Sequence, residues 1–306
     1  MSREFKKYLL SLALFGSNGI VASAISLPAE QIVLLRTLLG AILLTLALAL
    51  ASRRDGEGAR LAFLEHPRQA LALACSGAAL GMGWIFLFEA YQLVGVGAAS
   101  LAYYCGPVIV MALSPLLFKE SLTPGKLAGF AAVAAGAFLV AFQPGGAALD
   151  ARGLMLGGLS AVMYAVMVVF SKRAPEVRGL EAASIQIVAS FAAVALHTAL
   201  GAGLPTPAAV ASAGLPAIVM LGVVNTGIGC YLYFSSIGRL PVQRVAVCGY
   251  LEPLSAVALS VLLLGEPLTP CRALGAALIV GGAAACELWG RRPLVPSGSV
   301  ASSDGA

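Results

Sequence analysis

The chain has 306 residues, of which 59% belong to the apolar AVILMFWYC set and only 11% are charged. A soluble domain carries about 25% charged residues, so this chain has too little polar surface to face water on all sides, and lipid must cover part of it. The net charge of +5 does not point to nucleic acid, because the basic residues sit in short segments beside apolar runs, where they set topology.

The apolar runs are roughly 18–22 residues long, the length a helix needs to cross a hydrocarbon core of about 30 Å. Alternation with period two is absent and Gly and Ala are abundant, which favours helices over a barrel. The first run, Tyr8 to Ile25, ends in Ser26-Leu27-Pro28 without a small-x-small cleavage pattern and reads as a retained span. Ten spans follow in chain order: 7–25, 30–51, 68–91, 95–118, 124–143, 152–171, 181–202, 213–236, 241–264 and 270–290. The tail 291–306 is rich in Pro, Ser and Gly, and disorder is expected there. The six cysteines mostly lie within apolar runs and form no CxxC, so buried thiols are expected rather than a disulfide framework.

Charge supports this drawing. With the N-terminus inside, the cytoplasmic segments collect Arg3, Lys6, Lys7, Arg53, Arg54, Arg60, Arg68, Lys119, Lys126, Lys172, Arg173, Arg178, Arg239, Arg244, Arg291 and Arg292. The outside receives only Arg152 and Arg272, and Arg36 alone lies in the interior of a span, away from its ends. Both termini are therefore expected in the cytoplasm.

An internal repeat runs at a constant offset of 146 residues. Tyr104, Pro107, Ala112-Leu113-Ser114, Glu120, Leu122-Thr123-Pro124, Gly129 and Gly136 lie over Tyr250, Pro253, Ala258-Leu259-Ser260, Glu266, Leu268-Thr269-Pro270, Gly275 and Gly282. Five spans per half is an odd number, so the second half must be inverted relative to the first. The expected fold is an all-α integral membrane protein of ten transmembrane helices in two inverted five-helix repeats, 1–143 and 152–290.

These features resemble the drug/metabolite transporter superfamily, in its EamA-type branch. The resemblance rests on the Ile32-Val33-Leu34-Leu35-Arg36-Thr37-Leu38-Leu39 string, on Pro107 and Leu251-Glu252-Pro253, and on the two Glu-x-Leu-Thr-Pro segments; it extends from about residue 8 to 290. Span seven carries no arginine that clearly matches Arg36. The resemblance implies export of amino acids, related metabolites or drugs by secondary transport. It places the solute in a central cavity lined by spans 1, 3, 4, 6, 8 and 9, in a multi-pass protein of the bacterial inner membrane, as monomer or homodimer.

Glu252 falls near mid-bilayer, where a charge costs at least about 2.5 kcal/mol. It reads either as a proton acceptor in a coupled cycle or as a structural group beside Pro253. Arg36 and Glu89 both fall near the outer ends of their spans. Arg36 has three readings: a salt bridge to Glu89, snorkelling to the interface, or capture of a solute carboxylate. Aromatic residues collect on the spans that the resemblance places around the cavity, and Trp84, Phe88 and Tyr91 form one helical stripe. The candidate solute contacts are Asn18, Trp84, Phe88, Tyr91, Tyr103, Tyr104, Tyr164, Asn225, Tyr231 and Tyr250. Helix packing and interfacial belts are the competing explanation for the aromatics, notably for Tyr8 and Trp289. Gly77/Gly81, Gly125/Gly129 and Gly153/Gly157 have the spacing of close helix contacts.

His197 lies near the outer end of span seven without visible partner ligands, so neither a metal nor a cofactor is expected. No HExxH, GxSxG or Walker pattern occurs, which argues against an enzyme. Besides a metabolite exporter acting on a small solute, with or without protons, the sequence allows a multidrug exporter of the same fold, a channel, or a membrane scaffold. Single-cysteine variants at Lys119 and Arg272 should react with impermeant thiol reagents from opposite sides of the membrane. Labelling of both from the same side removes the inverted repeat.

Overall fold

The computed structural model describes residues 2–54, 61–141, 150–201, 203–264 and 268–289, which form helices and connecting turns with no strand among them. Glu266, Arg60 and the tail 291–306 lie outside the described residues, as do the side chains of Arg272 and Trp289. The helices are α1 (Arg3–Phe15), α2 (Asn18–Ser23), α3 (Ala29–Arg54), α4 (Ala62–Glu65), α5 (Pro67–Tyr103), α6 (Cys105–Phe118), α7 (Pro124–Ala141) and α8 (Ala151–Ser171). They continue with α9 (Gly179–Leu200), α10 (Pro207–Ser212), α11 (Leu215–Val219), a π-helical stretch Met220–Ile228, then α12 (Gly229–Ile237), α13 (Val242–Gly249), α14 (Leu251–Leu264) and α15 (Pro270–Trp289). Among the described residues, six helical stretches are long and apolar enough to cross a bilayer, and Cys105–Phe118, Pro124–Leu139 and Ala273–Ala285 are shorter apolar helices.

Several spans that read as continuous are interrupted. The first breaks between α1 and α2. Helix α5 runs past the expected end of span three and kinks at Gly95, whose φ of 76° suits a residue without Cβ. Span four breaks at Tyr104 and span nine at Tyr250, with nearly identical backbone angles (φ −68°, ψ −3° and φ −71°, ψ −3°). The cause is Pro107 and Pro253, each the third residue of the helix that follows. A proline has no N–H for the carbonyl four residues back and its ring crowds that carbonyl, whereas in a first turn it is tolerated.

The packing is symmetric under exchange of the halves. Helix α5 lies on α8 as α1 lies on α12, α5 meets α9 as α3 meets the π-helical stretch, and α6 meets α8 as α1 meets α14. Helices α3 and α9 pair directly, as do α7 and α15. In the last pair a Cβ on Gly136 would come within 2.6 Å of the Gly275 carbonyl oxygen, and one on Gly282 within 2.6 Å of the Gly129 carbonyl oxygen. These four glycines are two pairs at the repeat offset, so the spacing repeated in both halves serves one reciprocal helix contact.

The Glu-x-Leu-Thr-Pro segment between spans four and five is a double cap. Thr123 Oγ1 accepts from the Lys126 amide at 3.3 Å at the start of α7. The Glu120 carboxylate crosses to the other repeat and accepts from the Val242 and Gln243 amides at 2.7 and 3.0 Å, closing the N-terminus of α13. Beside it Lys172 Nζ donates to the Leu240 carbonyl. Burial lowers the Lys172 ammonium to about 8, and Glu120 pulls it upward.

Tyr8 is not in an interfacial belt. It is buried, its hydroxyl donates to the Val245 carbonyl at 2.7 Å, and its ring lies 5.5 Å from that of Tyr233.

Gly136→Leu should lower thermal stability by about 1–3 kcal/mol, because helix backbones in contact leave no room for a side chain. Gly281→Ala, where a Cβ meets nothing within 4 Å, should leave the melting temperature of the purified protein unchanged or raise it.

Candidate functional site

The two broken spans meet. Tyr250 donates its hydroxyl to the Tyr104 carbonyl at 2.7 Å, and the two rings lie 6.2 Å apart. Beside this junction is a partly enclosed cavity with about 50 Å³ of free volume. Its wall includes eight of the sequence candidates: Asn18, Trp84, Phe88, Tyr91, Tyr103, Tyr104, Tyr164 and Glu252. At roughly 10–15 Å³ per water, the space admits a few waters and is too tight for an aromatic ring. The walls must move apart to take a larger solute.

The aromatic wall is held by its own contacts. Phe88 and Tyr91 rings lie 5.4 Å apart, Tyr103 lies 5.9 Å from Tyr104, and Tyr103 meets Tyr164 edge-on at 5.8 Å. Glu252 occupies the first turn of α14, just past the Tyr250 break. A half-helix N-terminus inside a bundle supplies partial positive charge to such a group.

Arg36 is placed differently from two of its readings. It is 1% exposed, so it does not snorkel, and it makes no salt bridge to Glu89. Its Nε donates to Thr226 Oγ1 at 2.9 Å, and its guanidinium carbon lies 4.0 Å from the Trp84 ring centre and 5.4 Å from that of Phe88. Nη1 and Nη2 are buried without a hydrogen-bond partner. The guanidinium therefore stands behind the cavity wall, against two of the aromatic rings that form it. Glu89 lies instead near Glu30 and His197, which are distant in sequence.

Three other candidates lie off the cavity. Asn225 is buried in the π-helical stretch, and its Nδ2 donates to Leu14 O, Ser17 Oγ and Asn18 Oδ1 at 3.1, 2.8 and 3.0 Å. It orients Asn18, which does line the cavity. Tyr231 lies in a separate apolar crevice with Leu43, Leu44, Leu180 and Ile228, with Lys7 Nζ 5.8 Å from its ring. Tyr250 is 1% exposed, and its ring packs on Phe130 at 5.8 Å.

The cavity wall also includes Leu12, Phe15, Leu80, Leu87, Pro107, Met167, Cys230, Tyr233, Phe234 and Gly249. Tyr233 rather than Tyr231 faces inward, 3.5 Å from Tyr164 Oη through its hydroxyl. Residues two apart on a helix point to opposite sides, and the π turns before them rotate the face away from the ordinary α-helical register. The apolar members carry no signal that separates a cavity wall from a packed core.

Fold and site together define a two-repeat helical membrane protein with a partly enclosed aromatic cavity at the junction of its halves. A model of the EamA-like transporter family matches residues 7–142 and again residues 151–286. The chain belongs to this family, within the drug/metabolite transporter superfamily, and is a multi-pass protein of the bacterial inner membrane. It is 31% identical over 214 residues to the aromatic amino acid exporter YddG of Ancylobacter novellus, covering 68% of this chain and 72% of that one. It is 24% identical over 289 residues to the uncharacterized transporter YxxF of Bacillus subtilis, covering 91% and 87% of the two chains. A crystal structure with 24% sequence identity superposes with a TM-score of 0.76 over 94% of this chain and 99% of the other.

Replacing a buried, incompletely bonded charge by an apolar side chain of similar length is often neutral or stabilising, whereas removing its partner is costly. Arg36→Met should therefore keep or raise the melting temperature in detergent, and Thr226→Val should lower stability by about 1–3 kcal/mol.

Proposed function

We propose that the protein exports an amino acid or a related amphipathic, aromatic solute by alternating access around the central cavity. The observation that carries this reading is the aromatic cavity wall of Trp84, Phe88, Tyr91, Tyr103, Tyr104 and Tyr164, with Asn18 and Glu252 as its polar points. Sites of this kind bind through apolar and aromatic surface and orient their ligand with a few polar groups. The relative named as an aromatic amino acid exporter supports the same solute class.

In this reading the chain crosses the bilayer ten times, as two oppositely oriented repeats with both termini in the cytoplasm. Near-equivalent halves give inward-open and outward-open states of similar energy. Glu120, reaching from the first repeat to the amides of α13 in the second, closes the cytoplasmic side. That latch and the Lys172–Leu240 contact part as the inward-open state forms. Glu252 exchanges a proton with the cavity as the solute binds and leaves.

The test is flux in proteoliposomes loaded with labelled tryptophan, phenylalanine or lysine, with and without an imposed pH gradient. Saturable flux of the aromatic amino acids, exceeding that of lysine, is expected. Trp84→Ala should lower apparent affinity about tenfold, equivalent to the roughly 1.4 kcal/mol lost with one aromatic contact. Glu252→Gln should abolish the response to the pH gradient. Unsaturable conductance would point to a channel, and a pH response kept in Glu252→Gln ends the coupling role alone.

A further inference from the structure

Away from the cavity, three donor side chains from three helices converge. Glu30 lies in the first turn of α3, Glu89 on α5, and His197 in the last turn of α9. One ligand atom of each lies within 4.8 Å of the other two, and all three residues are half-buried. Among the described residues neither carboxylate is paired with a lysine or arginine; only the imidazole approaches, with His197 Nε2 3.6 Å from Glu30 Oε1.

That separation is too long for a hydrogen bond, whose N···O distance is about 2.7–3.2 Å. It is close to roughly 3.4 Å, the edge of a tetrahedron whose centre holds zinc at about 2.0–2.1 Å from each ligand. The charges agree with the distance. Two carboxylates meet on a half-buried surface, and a divalent cation between them supplies the charge that they otherwise lack there. A nitrogen donor among the three selects a zinc-like ion over magnesium or calcium, which prefer all-oxygen shells.

We infer that Glu30, Glu89 and His197 form a binding site for one divalent transition-metal ion of the zinc class. His197 Nε2 and one oxygen from each glutamate supply three ligands, and water completes the shell. Helices α3 and α5 come from the first repeat and α9 from the second, so the ion ties the two repeats together at this point. Sequence reasoning finds no ligands for His197 because its partners lie more than a hundred positions away along the chain.

The test is titration of the purified, tag-free full-length protein in detergent with Zn²⁺, followed by calorimetry and by thermal unfolding. Co²⁺ provides a spectroscopic probe of ligand geometry. One ion should bind per chain, raise the melting temperature and give the visible bands of low-coordinate Co²⁺. His197→Ala, Glu89→Gln and Glu30→Gln should each weaken binding at least tenfold while unfolding like the wild type without metal. Glu89→Gln, nearly isosteric, carries the test if His197→Ala does not fold. Absence of saturable binding, binding unchanged in these variants, or equal binding of Mg²⁺ overturns the proposal.

Discussion

The fold turns on two helix breaks placed by two prolines. Inside a bilayer each unsatisfied backbone group costs several kcal/mol, so an interrupted span survives only where other protein groups take up the freed donors and acceptors. At the break in span four, the Tyr104 carbonyl receives the Tyr250 hydroxyl from the break in span nine. A third proline, Pro115, lies inside α6 and deprives the Met111 carbonyl of its helical donor. The Ser114 hydroxyl supplies one at 2.8 Å, and the same oxygen accepts from Gln243 Nε2 of the other repeat at 3.2 Å. The loss at Pro115 is thus converted into a contact, and that contact and the Tyr250–Tyr104 bond both join the halves. The cavity lies at this junction because broken helices leave short ends, and not continuous cylinders, facing one another.

Buried charge follows the same logic. An arginine within a span is tolerated where bonds and polarisable surface replace water. Arg36 has one bond, to Thr226, and two aromatic faces. Thr226 is available because the stretch Met220–Ile228 is π-helical. Its hydroxyl reaches back five residues to the Leu221 carbonyl at 2.8 Å while accepting from Arg36. The same widened turn points Asn225 at the break between α1 and α2. A single local departure from α-helical geometry therefore anchors the cation behind the aromatic wall and fixes the polar residue at the cavity's edge.

Much of this was legible in sequence, and the limits are physical. The repeat was readable because a reciprocal helix contact demands glycine at matching places in both halves, as at Gly129, Gly136, Gly275 and Gly282. The carboxylate beside the cavity was readable because a charge in an apolar run must face protein or water. Rotation about the helix axis was not. Residue count gives the depth of Arg36 and Glu89 but not their facing, and the structure turns Arg36 toward Trp84 and Glu89 toward His197. That Tyr233 faces the cavity and Tyr231 a separate crevice was hidden for the same reason, compounded by π turns that composition does not announce. The second-repeat counterpart of the Glu120 cap, at Glu266, falls outside the described residues.

The symmetry of the scaffold makes its exceptions informative. At the repeat offset, Glu252 corresponds to Gly106. A Cβ on Gly106 would come within 2.8 Å of the Tyr164 ring, so the first repeat gives that place to an aromatic from span six. The second repeat has a carboxylate there, on the cavity wall. Exchange of the halves therefore preserves the packing contacts but replaces an acid by a ring at the site itself. In the proposed cycle the symmetric contacts keep the two end states close in energy, while the asymmetric lining gives the cavity one charged pole and one aromatic face. A solute with a polar head and an apolar body is oriented by such a pair, and its orientation is kept while the halves rock around it.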